Sequence, residues 1–271
     1  MRAAARIAAR RACFEQVVAA ENTVTGDGPP SMAAPGFLSG FLPVLEDGFL
    51  PAHVYDPTSV NSAKKVPLMV SRNGTEMSLF MLGDKAAYTL DAAGLRKRVT
   101  GMFEGDAATI LDTYRGDFPD YSPSALWFRI VSDYMMGALS SAVLDARAVP
   151  GAAPVYGYRF DWMTPIADGK LFSPHTIEIP FVFDNVATEA GQVMTQGGAA
   201  AQALAKTVSE AWVTFARIGK PAAPALPDWP QYSGQVRAAM HLDTQSRVAP
   251  YMPPAILPIF HDRLWRAAGL A

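Results

Sequence analysis

Cysteine is almost missing from the sequence: Cys13 is the single one in 271 residues. That excludes an internal disulfide and any zinc site built from several thiolates, and it fits a reducing, cytoplasmic setting. Neither sign of charge dominates, since 23 Lys and Arg stand against 25 Asp and Glu for a net charge of −2. A nucleic-acid binder would carry a basic excess or stripe, so no nucleic-acid partner is expected. No apolar stretch approaches the ~20 residues that cross a bilayer, and no membrane partner is expected either. The four histidines, His53, His175, His241 and His261, show no metal-ligand spacing, and neither a metal nor a cofactor is expected. With 50% hydrophobic and 18% charged residues, the chain has the means to bury a sizeable core and is not disordered.

Along the chain, Arg2, Arg6 and Arg10 recur at helical spacing. They fit a solvated helix face or an arginine-rich targeting presequence, and the segment has no apolar centre of a secretory signal. Thr25–Gly36, rich in Gly and Pro, reads as loop, so residues 1–36 make a helix and a loop. After a turn at Asp47-Gly48, the short apolar run Val66–Val70 suits a strand covered on both faces, with Pro67 among its first residues. Asp91–Arg115 is weakly helical. Ser122 and Pro123 read as N-cap and first residue of a long helix with Leu126, Ile130, Tyr134, Leu139 and Ala142 near helical period. "PVYGYRFDW" alternates, placing Tyr156, Tyr158, Phe160 and Trp162 on one face of a strand. A helix over Ala199–Arg217 carries Leu204, Val208, Trp212 and Phe215 on one stripe, stopped by Gly219-Lys220-Pro221. "VRAAMHLD" reads as the last strand. Without a repeat or linker, residues 1–271 read as one α/β domain.

Two residues stand out chemically. His175 opens "HTIEIPFVFDN" and taken alone fits a packed or surface histidine. Glu76 lies in the polar loop after Val66–Val70, and loops after strand C-termini collect catalytic groups in parallel sheets. Alone it fits a solvated carboxylate or a first-turn helix acid. Together they give an acid followed by a histidine, the second half of the order Ser, Asp/Glu, His. Imidazole titrates near neutral pH and accepts a hydroxyl proton, while a carboxylate fixes its tautomer.

"FLPVLEDGFLP", "VPLMVSRNGTEMSLF", "PVYGYRFDW", "PHTIEIPFVFDN" and "AWVTFARIGKPAAPALPDWPQY" occur in the order found in type-B carboxylesterases. Over residues 41–265 the chain resembles the C-terminal half of that family, which includes bacterial para-nitrobenzyl esterases and the cholinesterases. The resemblance implies the C-terminal part of an α/β-hydrolase fold, a mostly parallel sheet with flanking helices whose N-terminal strands are missing. It implies that Glu76 is the triad acid and His175 the triad histidine, acting on a small-molecule carboxylic ester. The family's nucleophile sits in a G-x-S-x-G elbow, and no such motif occurs here: Ser39 and Ser140 each have the wrong flanks. The chain is therefore expected to be inactive alone and to need a complementing N-terminal half. The alternative is a non-catalytic, cholinesterase-like binding or adhesion module, which has no use for an acid and a histidine in register. With one neighbour gone, the Val66–Val70 strand is expected at a sheet edge, prone to self-association.

Overall fold

The computed structural model describes Glu15, Gln16, Ala19 and residues 63–267. The chain divides into two compact units, Met1–Val54 and Tyr55–Ala271, and the three described residues of the first are helical. Cys13, the arginines at 2, 6 and 10, the loop at 25–36, Ser39, the Asp47-Gly48 turn and His53 lie outside the described residues.

The second unit is α/β. Its sheet is formed by β1 (Leu68–Asn73), β2 (Val155–Phe160), β3 (Ala238–Leu242) and β4 (Arg247–Pro250), in the order β1-β2-β3-β4. The first three are parallel and β4 is antiparallel to β3. Parallel neighbours need long crossovers. The β1–β2 connection holds α1 (Met77–Phe80), α2 (Ala92–Phe103), α3 (Ala107–Asp117), α4 (Pro123–Ser132) and α5 (Ala138–Arg147). The β2–β3 connection holds α6 (Ile179–Val182), α7 (Glu189–Thr195) and α8 (Ala199–Ile218), and α9 (Leu257–Ala267) follows the sheet.

All six residues of β2 are buried, because helices cover both of its faces. Tyr156, Tyr158 and Phe160 point one way, with Trp162 beyond them, into a core with Leu204, Ala205, Val208 and Ala211 of α8 and with Trp229. Val155 points the other way, toward Leu144 of α5, Tyr232 and Ala239. Gly157 makes that second packing possible, since a Cβ there would stand 3.3 Å from Leu144 Cδ1. The expected aromatic face is thus core packing, each large side chain stabilising by about 1.5–3 kcal/mol.

Several boundaries differ from the sequence reading. β1 begins two residues later than Val66 and runs on through Ser71-Arg72-Asn73, because its ladder with β2 pairs Leu68 with Val155 and Asn73 with Phe160. Val66 stays outside it, 59% exposed, and Pro67 precedes the first ladder residue. β1 is the end strand of the described sheet, as expected, but its first four residues are half-buried rather than covered. The long helix from Ser122 is broken between α4 and α5 by a π-turn, Asp133–Gly137. Gly137 sits there against Arg72, whose Nε would be 2.7 Å from an added Cβ. β4 was not expected. Helix α8 and its αL stop at Gly219 (φ 73°) match the reading.

A buried ionic cluster braces the C-terminal ends of β1 and β2. Asp133 meets Arg72 at 2.5 Å and Arg129 at 3.2 Å, and accepts from Tyr114 Oη at 2.7 Å. Asp161 accepts two bonds from Arg159, at 2.6 and 2.7 Å, and one from Arg129 at 3.2 Å. Burial alone would raise the Asp161 carboxyl, but Arg159 and Arg129 outweigh it and hold it well below the usual carboxylate range. His241, beside them, is pushed down to about 2 by burial and by Arg159, so it is neutral. No helix among the described residues is long and apolar enough to cross a membrane.

Candidate active site

Two loops leave the C-terminal ends of adjacent parallel strands and are joined by hydrogen bonds. Gly74 N–H donates to Phe160 O at 2.8 Å and Thr75 N–H to Ser173 O at 2.9 Å. Ser173 returns the bond, its N–H donating to Thr75 Oγ1 at 2.8 Å, and its hydroxyl donates to Phe160 O at 2.7 Å. Gly74 is held from behind by Arg129, whose Nη1 donates to its carbonyl at 3.2 Å. A Cβ at Gly74 would come within 3.1 Å of Asp161 Oδ1, so the ionic cluster sits directly beneath the loop.

On this frame Glu76, the residue before α1, has 7% of its side chain exposed and His175 42%. Glu76 Oε2 lies 2.6 Å from His175 Nδ1, and Oε1 accepts the backbone N–H of Asn73 at 2.5 Å. The two residues singled out in the sequence are therefore in contact. Glu76 is not the solvated carboxylate that a loop position suggested. Its bond raises the proton affinity of His175 against the opposing effect of partial burial. Phe80 of α1 packs on the imidazole with ring centroids 4.9 Å apart. Among the described residues, nothing hydrogen-bonds the other ring nitrogen, Nε2. Thr176, next in the chain, holds φ 69°, a left-handed conformation that is a genuine outlier for a β-branched residue. Strain of this kind clusters at functional sites.

A second carboxylate, unnoticed in the sequence, stands beside the pair. Glu178 Oε2 accepts from Asn73 Nδ2 at 2.5 Å, and the same amide donates to Pro174 O at 3.0 Å. Burial raises the Glu178 carboxyl, and the nearby Glu76 adds to that. One signal was available: Asn73 precedes Glu76 by three positions and Glu178 follows His175 by three.

The other candidates are elsewhere. Ser140 and Ser141 lie in α5, on the helix face rather than at a strand-to-helix turn. Ser141 Oγ is fully buried and donates to Ala138 O at 2.9 Å, with His261 Nε2 3.1 Å away and itself 2.9 Å from the same carbonyl. His241 Nε2 bonds Pro250 O at 2.9 Å. Among the described residues, no group of three or more His, Cys, Asp or Glu side chains is arranged to hold a metal ion.

Comparison with known proteins gives a consistent picture. Residues 15–253 match the model of the carboxylesterase family. The para-nitrobenzyl esterase of Bacillus subtilis (strain 168) is 30% identical over 212 residues, 76% of this chain and 40% of that protein. The phenmedipham hydrolase of Pseudarthrobacter oxydans is 26% identical over 71% of this chain and 38% of its own length. Among solved structures, the Geobacillus stearothermophilus carboxylesterase superposes with a TM-score of 0.60 at 27% identity, over 80% of this chain and 44% of that one. A Clostridium hathewayi esterase shares the fold with a TM-score of 0.65 at 23% identity, over 84% of this chain and 44% of its own. The chain thus spans well under half the length of these relatives. On sheet topology, motif order and family match together, it belongs to the carboxylesterase family.

Proposed function

We propose that this chain carries the acid and the base of a serine-type carboxylic-ester hydrolase, with Glu76 as acid and His175 as base. The observation that supports it most is the 2.6 Å contact from Glu76 Oε2 to His175 Nδ1 beside an Nε2 without a partner among the described residues. In such a pair the carboxylate keeps the proton on Nδ1, so Nε2 offers its lone pair. A serine hydroxyl approaching Nε2 gives up its proton as its oxygen attacks the ester carbonyl. The imidazolium so formed is stabilised by Glu76 and then passes a proton to the leaving alcohol oxygen. Water repeats the sequence on the acyl-enzyme, releasing the carboxylic acid.

The serine itself has no candidate in the 271 residues, since no G-x-S-x-G elbow is present. On this reading the nucleophile and its oxyanion hole belong to a complementing polypeptide segment, and the chain by itself turns over no ester. The test is hydrolysis of a short-chain aryl ester, with an organophosphonate serine probe, by the chain alone and by the chain co-expressed with an elbow-bearing N-terminal half. The expected result is negligible turnover and labelling alone, and turnover in the complex that His175→Ala abolishes. Robust turnover by the chain alone, lost on mutation of one of its own serines, would overturn the reading.

A further inference from the structure

We propose that Asn73 is the positioning residue of the Glu76–His175 pair, setting the acid through its backbone and the histidine loop through its side chain. This rests on the reading of that pair given above.

Asn73 is the last residue of β1, so its backbone is fixed by the ladder to Phe160. It is 1% exposed. From that fixed point it makes three bonds, each to a different part of the site. Its backbone N–H donates to Glu76 Oε1 at 2.5 Å, which orients the carboxylate so that Oε2 faces the imidazole. Its side-chain Nδ2 donates to Pro174 O at 3.0 Å, the carbonyl joined to the His175 nitrogen, and to Glu178 Oε2 at 2.5 Å, three residues beyond. One amide group thus holds the carbonyl that precedes His175 and the Glu178 side chain three residues after it.

Both side-chain partners are acceptors only, one a carbonyl and one a carboxylate, so both need the NH₂ end of the amide. That orientation leaves Asn73 Oδ1 buried without a hydrogen-bond partner among the described residues. An unsatisfied buried carbonyl oxygen is a cost that native structures rarely carry. It is explained if the position is held for its two donors. No other common side chain of this size presents two N–H bonds from one atom without a charge. A charged donor would compete with His175 for the carboxylates Glu76 and Glu178, the two titratable groups that act on it.

Positioning is separable from mere stability because Asn73→Ala keeps the backbone bond to Glu76 but frees the loop that carries His175, and a ring displaced from Glu76 holds its proton differently. The experiment is a ¹⁵N-histidine NMR titration of the full chain, with His175→Gln used to assign the ring. Wild type is compared with Glu76→Gln, Asn73→Ala and Glu178→Gln, each checked for fold by circular dichroism. Glu76→Gln is expected to lower the His175 midpoint. Asn73→Ala is expected to lower it in the same direction by less, and to spread the neutral ring's proton over both nitrogens. Glu178→Gln removes a charge yet keeps an acceptor for the amide, and is expected to leave the proton on Nδ1. If Asn73→Ala does not fold, Asn73→Ser, which keeps a single donor, is read in the same way. A folded Asn73 variant with the wild-type midpoint and tautomer, while Glu76→Gln shifts both, overturns the proposal. An unchanged ring in Glu76→Gln would instead overturn the acid–base reading beneath it.

Discussion

Glu76 raises the proton affinity of His175, so the folded chain holds that proton to higher pH than the unfolded chain, whose imidazoles release it near pH ~6.5. The pair's contribution to stability is therefore complete below pH ~6.5 and fades as pH rises through the raised folded value. His241 works in the opposite sense. Its folded value is pushed down to about 2, so above pH ~6.5 burial of the neutral ring costs nothing in protons, and stability falls as pH drops below that point. The slope from one such group is about 1.4 kcal/mol per pH unit. Urea unfolding between pH 4 and 9 should show Glu76→Gln lowering stability below pH ~6.5 by a constant amount and removing the decline above it that comes from His175, while His241→Asn flattens the acid-side loss. The sequence made His175 and Glu76 legible because an acid and a histidine in that order name a chemistry. Asn73 and Glu178 were not legible, since an amide and a second carboxylate acquire meaning only when two residues 105 positions apart are brought together.

The elements depend on a few contacts that local sequence does not display. Gly137 is required because Arg72 fills the space where a Cβ would stand, 2.7 Å from Nε, and Arg72 is itself pinned to Asp133. Gly137→Ala should cost about 1–3 kcal/mol by overpacking, measurable as a lowered Tm. Asp161→Asn leaves Arg159 with a neutral partner at the centre of the cluster and should cost about 3–5 kcal/mol, read by chemical denaturation. Gly219→Ala should cost about 1–2 kcal/mol, since φ is 73° and the new Cβ would meet Pro67 Cγ at 3.0 Å. The starts and stops of α4 and α8 were readable from Ser122-Pro123 and Gly219 because caps are local chemistry. The limits of β1, the existence of β4 and the π-turn were not. Strand ends are set by the partner strand, and the π-turn by an arginine more than sixty positions away.

For the whole molecule, β1 at the end of the described sheet is the feature with consequences for behaviour in solution. An outer edge with no neighbouring strand among the described residues is a template for another strand, and Val66, two residues before β1, is 59% exposed. Light scattering on the purified chain should show species larger than the monomer, reduced by Val66→Lys. A monodisperse monomer melting cooperatively above ~65 °C, beyond the usual mesophile range, would show that edge to be inert. The same sheet also sets the order in which the chain organises itself in time. β1 meets β2 across more than eighty residues (Leu68 with Val155), and β2 meets β3 across a similar span (Gly157 with Ala239), whereas β3 and β4 are a local hairpin (His241 with Arg247). Helices and hairpins form within microseconds, but pairings this remote in sequence are slow. Both loops of the site hang from one of these slow pairings. In a refolding experiment the helical signal should return first, and His175 should acquire its raised proton affinity only with the closure of β1 on β2, so that one imidazole serves as the clock for that pairing.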